Sequence, residues 1–398
     1  MADNNLTSKT MTFSQLLKKN VRSYSMFIML ALIFIVFSGL TSGINFSPRN
    51  VANIFMQNSY ILILASGMVL VIIIGNIDLS VGSIAAFTGA IAAMIYNSGL
   101  GLIPTVLLTM LIGSVIGIWQ GFWIAYMRVP SFIVTLSGML LFRGLTYIIT
   151  NVSPVSLRDA GFARITSGFI SSEGMMVGDA HLLPWLVGAA LAIFVLVSTL
   201  SARRNKQRKG FAIEPIAAFA LRNLFVIGLI AILSWKFAEF RGLPIVGILL
   251  AIVVSILTFV TNRTVFGRYV YAVGGNARSA KLSGIDTELV EFFVFVVMGS
   301  LAGLAGLVFA GYMNSALPQA GQLFELDAIA SVFIGGASMS GGIGTVIGAI
   351  VGGLVMGVIN NGMSLMNIGA DWQYVVKALV LLLAVFYDIY TRRKAGLA

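Results

Sequence analysis

The chain of 398 residues contains no cysteine, so it holds no disulfide, no thiolate metal site and no cysteine nucleophile. One histidine, His181, excludes a centre built on two or more imidazole ligands. Nowhere does Gly-x-x-x-x-Gly-Lys-Ser/Thr occur, so the loop that cradles ATP phosphates is missing. Neither His-Glu-x-x-His nor Gly-x-Ser-x-Gly is present, which leaves hydrolase chemistry without support. Charge is scarce as well. Charged residues make up 10% and apolar ones 58%, against about 25% and about 45–50% in soluble domains. A soluble fold of this composition would expose more apolar surface than water tolerates. The expectation is an all-α, multi-pass membrane protein without enzymatic chemistry of its own and without a metal site.

A spanning helix needs about 20 largely apolar residues. Such stretches lie near 25–44, 56–75, 79–97, 102–127, 131–150, 182–200, 216–235, 243–261, 289–312, 343–364 and 372–390. The first reads as an uncleaved helix, because it is longer than a signal h-region and no Ala-x-Ala site follows. A shorter Gly-rich stretch, 326–338, fits a half-helix or a re-entrant turn. Eleven or twelve crossings result, and twelve leave both termini on one side.

The excess of positive charge tests that layout. Of 25 Lys and Arg, 18 fall before residue 24, at Arg128, across 201–223, across 262–288, or in the last seven residues. Arg49, Arg158, Arg164, Lys236 and Arg241 fall on the other side, and Arg143 and Lys377 within spans. Because cytoplasmic segments collect Lys and Arg, both termini are expected inside. The organisation expected is a cytoplasmic segment 1–24, one transmembrane domain 25–390, and a cytoplasmic tail 391–398. Topology accounts for most of the charge, so nucleic acid is not the implied partner. The strongly basic segment 201–215, "SARRNKQRKGFAIEP", reads as an orientation signal next to anionic lipid.

Two spans carry glycines at four-residue intervals: Gly113, Gly117 and Gly121, and then Gly344, Gly348 and Gly352. Gly299 and Gly303 repeat the pattern. Such faces let helix backbones approach closely. They serve either packing within one subunit or a seam between two. The similarity of "GSVIGIWQG" to "GTVIGAIVG" hints at an inverted repeat.

Ionisable residues inside spans are functional candidates. Asp78, in "IIIGNIDLSVGSIAAFTG", is the deepest carboxylate. Gly75 and Asn76 end one helix there, and Asp78 is placed to cap the next. The alternative is a salt bridge from Asp78 to Arg143 or Lys377. In the cytoplasmic segment 262–288, Arg263, Arg268, Arg278 and Lys281 accompany Gly274-Gly275, Ala280 and Gly284. A short helix over Asn276–Leu282, closed by Gly284, suits docking into a groove on another protein better than it suits a mere connector.

Four blocks in order carry a resemblance: "NIDLSVGS" (76–83), "VPSFIVTL" (129–136), "FGRYVYAVGGNARSAKLSGI" (266–285) and "ELDAIASVFIGGASMSGGIGTVIGA" (325–349). Over about 25–390 the chain resembles the permease subunits of ribose, xylose, arabinose and galactose ABC importers, and within them the longer xylose-type branch. The extra length falls at about 182–260. The resemblance implies a separate cytoplasmic ATPase that binds ATP and Mg, a separate extracytoplasmic sugar-binding protein, a second permease copy, and a bacterial cell-membrane location. It places the ATPase contact at Gly274, Gly275, Asn276, Ala280, Ser283 and Gly284, with Arg268 and Arg278 at the rim. It places Asp78, Ser80 and Ser83 at a signature break near the central path. A permease of the same fold for another solute, such as a branched-chain amino acid, is the serious alternative, and an ion-coupled secondary carrier the more distant one.

Overall fold

The computed structural model describes residues 13–170, 176–177, 180–211 and 213–394. Fourteen α-helices carry nearly all of the regular structure among them. In chain order they are α1 (Phe13–Leu40), α2 (Pro48–Ile73), α3 (Val81–Asn97), α4 (Leu102–Gly121), α5 (Ser131–Thr150), α6 (Ala160–Ser167) and α7 (Leu182–Arg208). There follow α8 (Ile216–Ala238), α9 (Ile245–Arg263), α10 (Val265–Leu282), α11 (Thr287–Met313), α12 (Phe324–Ile334), α13 (Val346–Leu365) and α14 (Ala370–Lys394). The all-α, multi-pass expectation stands.

Eight of these helices are long and apolar enough to cross a bilayer: α2, α4, α5, α7, α8, α9, α11 and α13. The other expected crossings are not among these eight, which were found among the described residues. Helix α3 and the Met26–Leu40 part of α1 are apolar but shorter. Helix α14 has 25 residues, but part of it lies outside the residues whose side chains the structure describes. Helix α12, at 11 residues, rises about 16 Å at 1.5 Å per residue. It reaches halfway through a core of about 30 Å, so the stretch 326–338 contains a half-helix.

The chain forms two compact units. The smaller contains α7 and α8 with Phe46–Ala52, and the larger contains Met26–Asn45, Asn53–Gly168 and the chain from Pro244 onward. In the larger unit α2, α11 and α13 form the buried centre, while α4, α5 and α9 keep apolar side chains facing outward. Outward leucines and phenylalanines are the lipid-facing surface of a membrane fold.

Glycine seams hold that centre together. A Cβ on Gly113 would strike the Gly299 carbonyl, one on Gly117 the Phe295 carbonyl, and one on Gly303 would come 2.6 Å from the Thr109 carbonyl. Helices α4 and α11 therefore touch backbone to backbone, with Gly121 against Phe292 at the end of the contact. Gly348 and Gly352 meet Gly335 and Ser331 in the same way, joining α13 to α12. All these contacts lie within one chain, so packing within the subunit accounts for both seams. Gly344 is the exception. It lies before α13, which begins after Thr345, and its φ of +159 places it in the preceding loop rather than on the helical face.

Candidate functional site

Two arrangements within the larger unit bring the expected residues together. The first is the break between α2 and α3. Gly75, with φ of +86, ends the descent of α2, and 74–80 run without helix. Asp78 Oδ1 accepts from the Ser80 backbone N–H at 2.8 Å and from the Ser80 hydroxyl at 2.5 Å. This corrects the cap expected at Asp78: the carboxylate closes a turn ahead of α3, and Ser80 occupies the cap position. The Gln120 amide of α4 donates to Ser80 Oγ at 2.7 Å, and Asn76 donates to Glu291 of α11 at 2.5 Å. Asp78, Ser80, Ser83 and Gln120 are all buried. Among the described residues, Ser83 Oγ and Gln120 Oε1 lack a hydrogen-bond partner.

No salt bridge ties Asp78 to Arg143 or Lys377 among the described residues. The Arg143 guanidinium instead donates to the Ala320 carbonyl at 2.5 Å. Lys377 pairs with Asp327 at 2.8 Å, joining α14 to α12. The hydroxyl and backbone N–H of Ser80 both bond Asp78 Oδ1 locally.

The second arrangement is α10, which sequence charge places on the cytoplasmic side. Thr264 caps its start by accepting from Gly267 N–H at 3.2 Å. At Asn276 the backbone leaves helical geometry (φ −163, ψ 100), and the Asn276 side chain accepts from Ser279 N–H at 2.9 Å. Asn276 thus caps a new short helix at the start of the one expected over Asn276–Leu282. Gly284, with φ of +84, takes the left-handed position beyond the last turn, where the Ile285 N–H reaches the Ala280 carbonyl at 3.1 Å.

The element is fixed on its inner side. A Cβ on Gly274 would collide with the Ile73 carbonyl at the end of α2, and Tyr271 donates to the Gly344 carbonyl at 2.8 Å. Lys281 pairs with Glu288 at 2.5 Å, and Arg128 reaches the same carboxylate at 3.1 Å. Val270, Val273 and Ala280 are buried. On the opposite side Arg268, Gly275, Asn276, Arg278, Ser283 and Gly284 are exposed, and Leu282 is 85% exposed. The structure therefore divides the expected contact residues: Gly274 and Ala280 face the protein, and the other six face out.

Sequence reasoning missed Gln120, Glu288 and Glu291. Gln120 left a signal, as an amide in an otherwise apolar span, but only ionisable residues had been weighed there. The two glutamates sit in the first turns of α11, where acidic residues ordinarily favour the helix N-terminus and stand out little.

The family of branched-chain amino acid transport system permease components matches residues 50–385. The xylose transport system permease protein XylH of Haemophilus influenzae is 39% identical over 94% of this chain and 98% of its own. Its Escherichia coli K12 counterpart is 38% identical over 96% and 95%. The ribose import permease protein RbsC of Escherichia coli K12 is 34% identical over 86% of each chain. No solved structure matches the chain.

Proposed function

The chain belongs to the family of branched-chain amino acid transport system permease components, and from that membership we propose that it is the membrane subunit of an ATP-driven importer of D-xylose or a closely related monosaccharide. The likeness to two xylose permeases, end to end in both chains, carries this reading. A separate cytoplasmic ATPase supplies the energy, with ATP and Mg held in that partner. A separate extracytoplasmic protein delivers the sugar, and two permease copies enclose the path.

In this reading the exposed side of α10 is where the ATPase docks. Its capped short helix, the exposed Leu282 and the flanking Arg268 and Arg278 make a compact knob of the kind that fits a groove. The inner side of α10 passes movement on, because Gly274 rests on the end of α2 and the Gly341-Gly342 loop ahead of α13. The break at Asp78, Ser80 and Ser83 gives α3 a turn about which to reorient. Sugar crosses by alternating access without a bond being made or broken. Ribose is the second reading, supported by the 34% identity to a ribose permease.

The test is ATP-dependent uptake of xylose, ribose, galactose and leucine into liposomes holding the permease, its ATPase and its binding protein. Xylose entering well above the others supports the assignment. Preferred entry of leucine overturns the sugar assignment, and preferred ribose selects the second reading.

A further inference from the structure

The segment joining α7 to α8 plays no part in the account above, yet it is built rather than loose. Helix α7 has 27 residues, about 40 Å at 1.5 Å per residue, more than the core of about 30 Å requires. By the distribution of lysine and arginine along the chain, its last two turns belong to the cytoplasmic side. Two basic residues are spent on tying the hairpin together. Arg203 donates to the Glu214 carbonyl at 2.7 Å and stacks over Phe219 at 4.9 Å. Arg222 pairs with the Glu214 carboxylate at 3.0 Å and lies 5.6 Å from the same ring. Ile213 is buried beneath.

That lock presents Arg204, Lys206, Arg208 and Lys209, all exposed and with no acidic partner among the described residues. Beside them Phe211 is 60% and Ile216 71% exposed. An orientation signal needs the count of charges during insertion; it does not need a fixed scaffold or an aromatic beside it. Clustered cations at the bilayer edge, next to apolar side chains that can enter the acyl boundary, match one chemistry, a phospholipid with an anionic headgroup. We infer that the α7–α8 hairpin is a binding site for anionic phospholipid of the cytoplasmic leaflet.

The test uses the full chain in phosphatidylcholine nanodiscs with a minor share of acceptor-labelled phosphatidylglycerol. The absence of native cysteine lets Ser201→Cys carry a single donor dye, and energy transfer reports local enrichment. The intact chain enriches phosphatidylglycerol, and 1 M salt, where the screening length is about 3 Å, abolishes that enrichment. R204Q/K206Q/R208Q/K209Q lowers it at least about tenfold. Phe211→Ser leaves every charge and hence the topology in place, and lowers it a few-fold. The second variant decides the matter if the first inserts in the wrong orientation.

Three results overturn the site: no enrichment over labelled phosphatidylcholine in the intact chain, unchanged enrichment in Phe211→Ser together with the fourfold variant, or competition by soluble glycerol phosphate at equal concentration. Displacement of dye contacts by the ATPase, with no lipid dependence, assigns the surface to a protein instead.

Discussion

Gly274 and Gly275 are neighbours in one helix, and a methyl group added to each would meet opposite surroundings. At Gly274 it strikes the Ile73 carbonyl and comes 2.8 Å from the Gly342 nitrogen; at Gly275 nothing lies within 4 Å. One backbone step separates the side of α10 that is welded to the protein from the side that is free. The same residue type thus serves packing at one position and clearance for a partner at the next. A glycine pair carries two arguments, and only the surroundings tell them apart.

The largest effect is expected where the welded side is disturbed. Gly274→Val should cost about 3 kcal/mol or more, because two backbones must separate; the measurement is the yield of folded protein and its thermal midpoint in detergent. Lys377→Met makes the comparison inside the membrane. It leaves Asp327 buried without its cation, a loss of about 3–5 kcal/mol, and Asp327→Asn in the same chain should restore most of it. The thermal midpoints of the single and double variants check this.

Smaller effects follow on the local turns. Asp78→Ala removes the acceptor for the Ser80 N–H and hydroxyl, and should destabilise by about 1–3 kcal/mol. Asp78→Asn keeps an acceptor oxygen and should lie nearer the intact chain in the same measurement. Asn276→Ala removes a helix cap worth about 1 kcal/mol on an exposed element, so the fold should persist while hydrogen exchange at Ser279 quickens. The smallest effect on stability belongs to Gly275→Trp, which should fold and insert normally yet abolish ATP-driven uptake. Uptake at the intact rate in that variant would detach coupling from this side of α10.

Much of this was legible in the sequence because hydrocarbon imposes a simple rule. Long apolar runs gave most of the spans. The short helix near Asn276 was also readable, since small side chains and a closing glycine are local signals. Half-helix α12 was ambiguous because its 11 residues are too few to span, and the turns at 318–323 before it leave no apolar run for hydropathy to extend. Gly344 seemed to continue a helical stripe, but periodicity of glycine cannot say where a helix begins. The cap at Asp78 was misplaced by two residues because a serine downstream competes for the same role. The partners of Ser80 and Lys377 come from helices 40 to 50 residues away, and no local pattern reports such distances.

The most direct test of the central claim is xylose uptake into liposomes with components left out in turn. Uptake should require the permease, the ATPase, the binding protein and ATP together, and should vanish when any one is omitted. Accumulation by this chain alone under a proton or sodium gradient would contradict the account and return it to the secondary carriers.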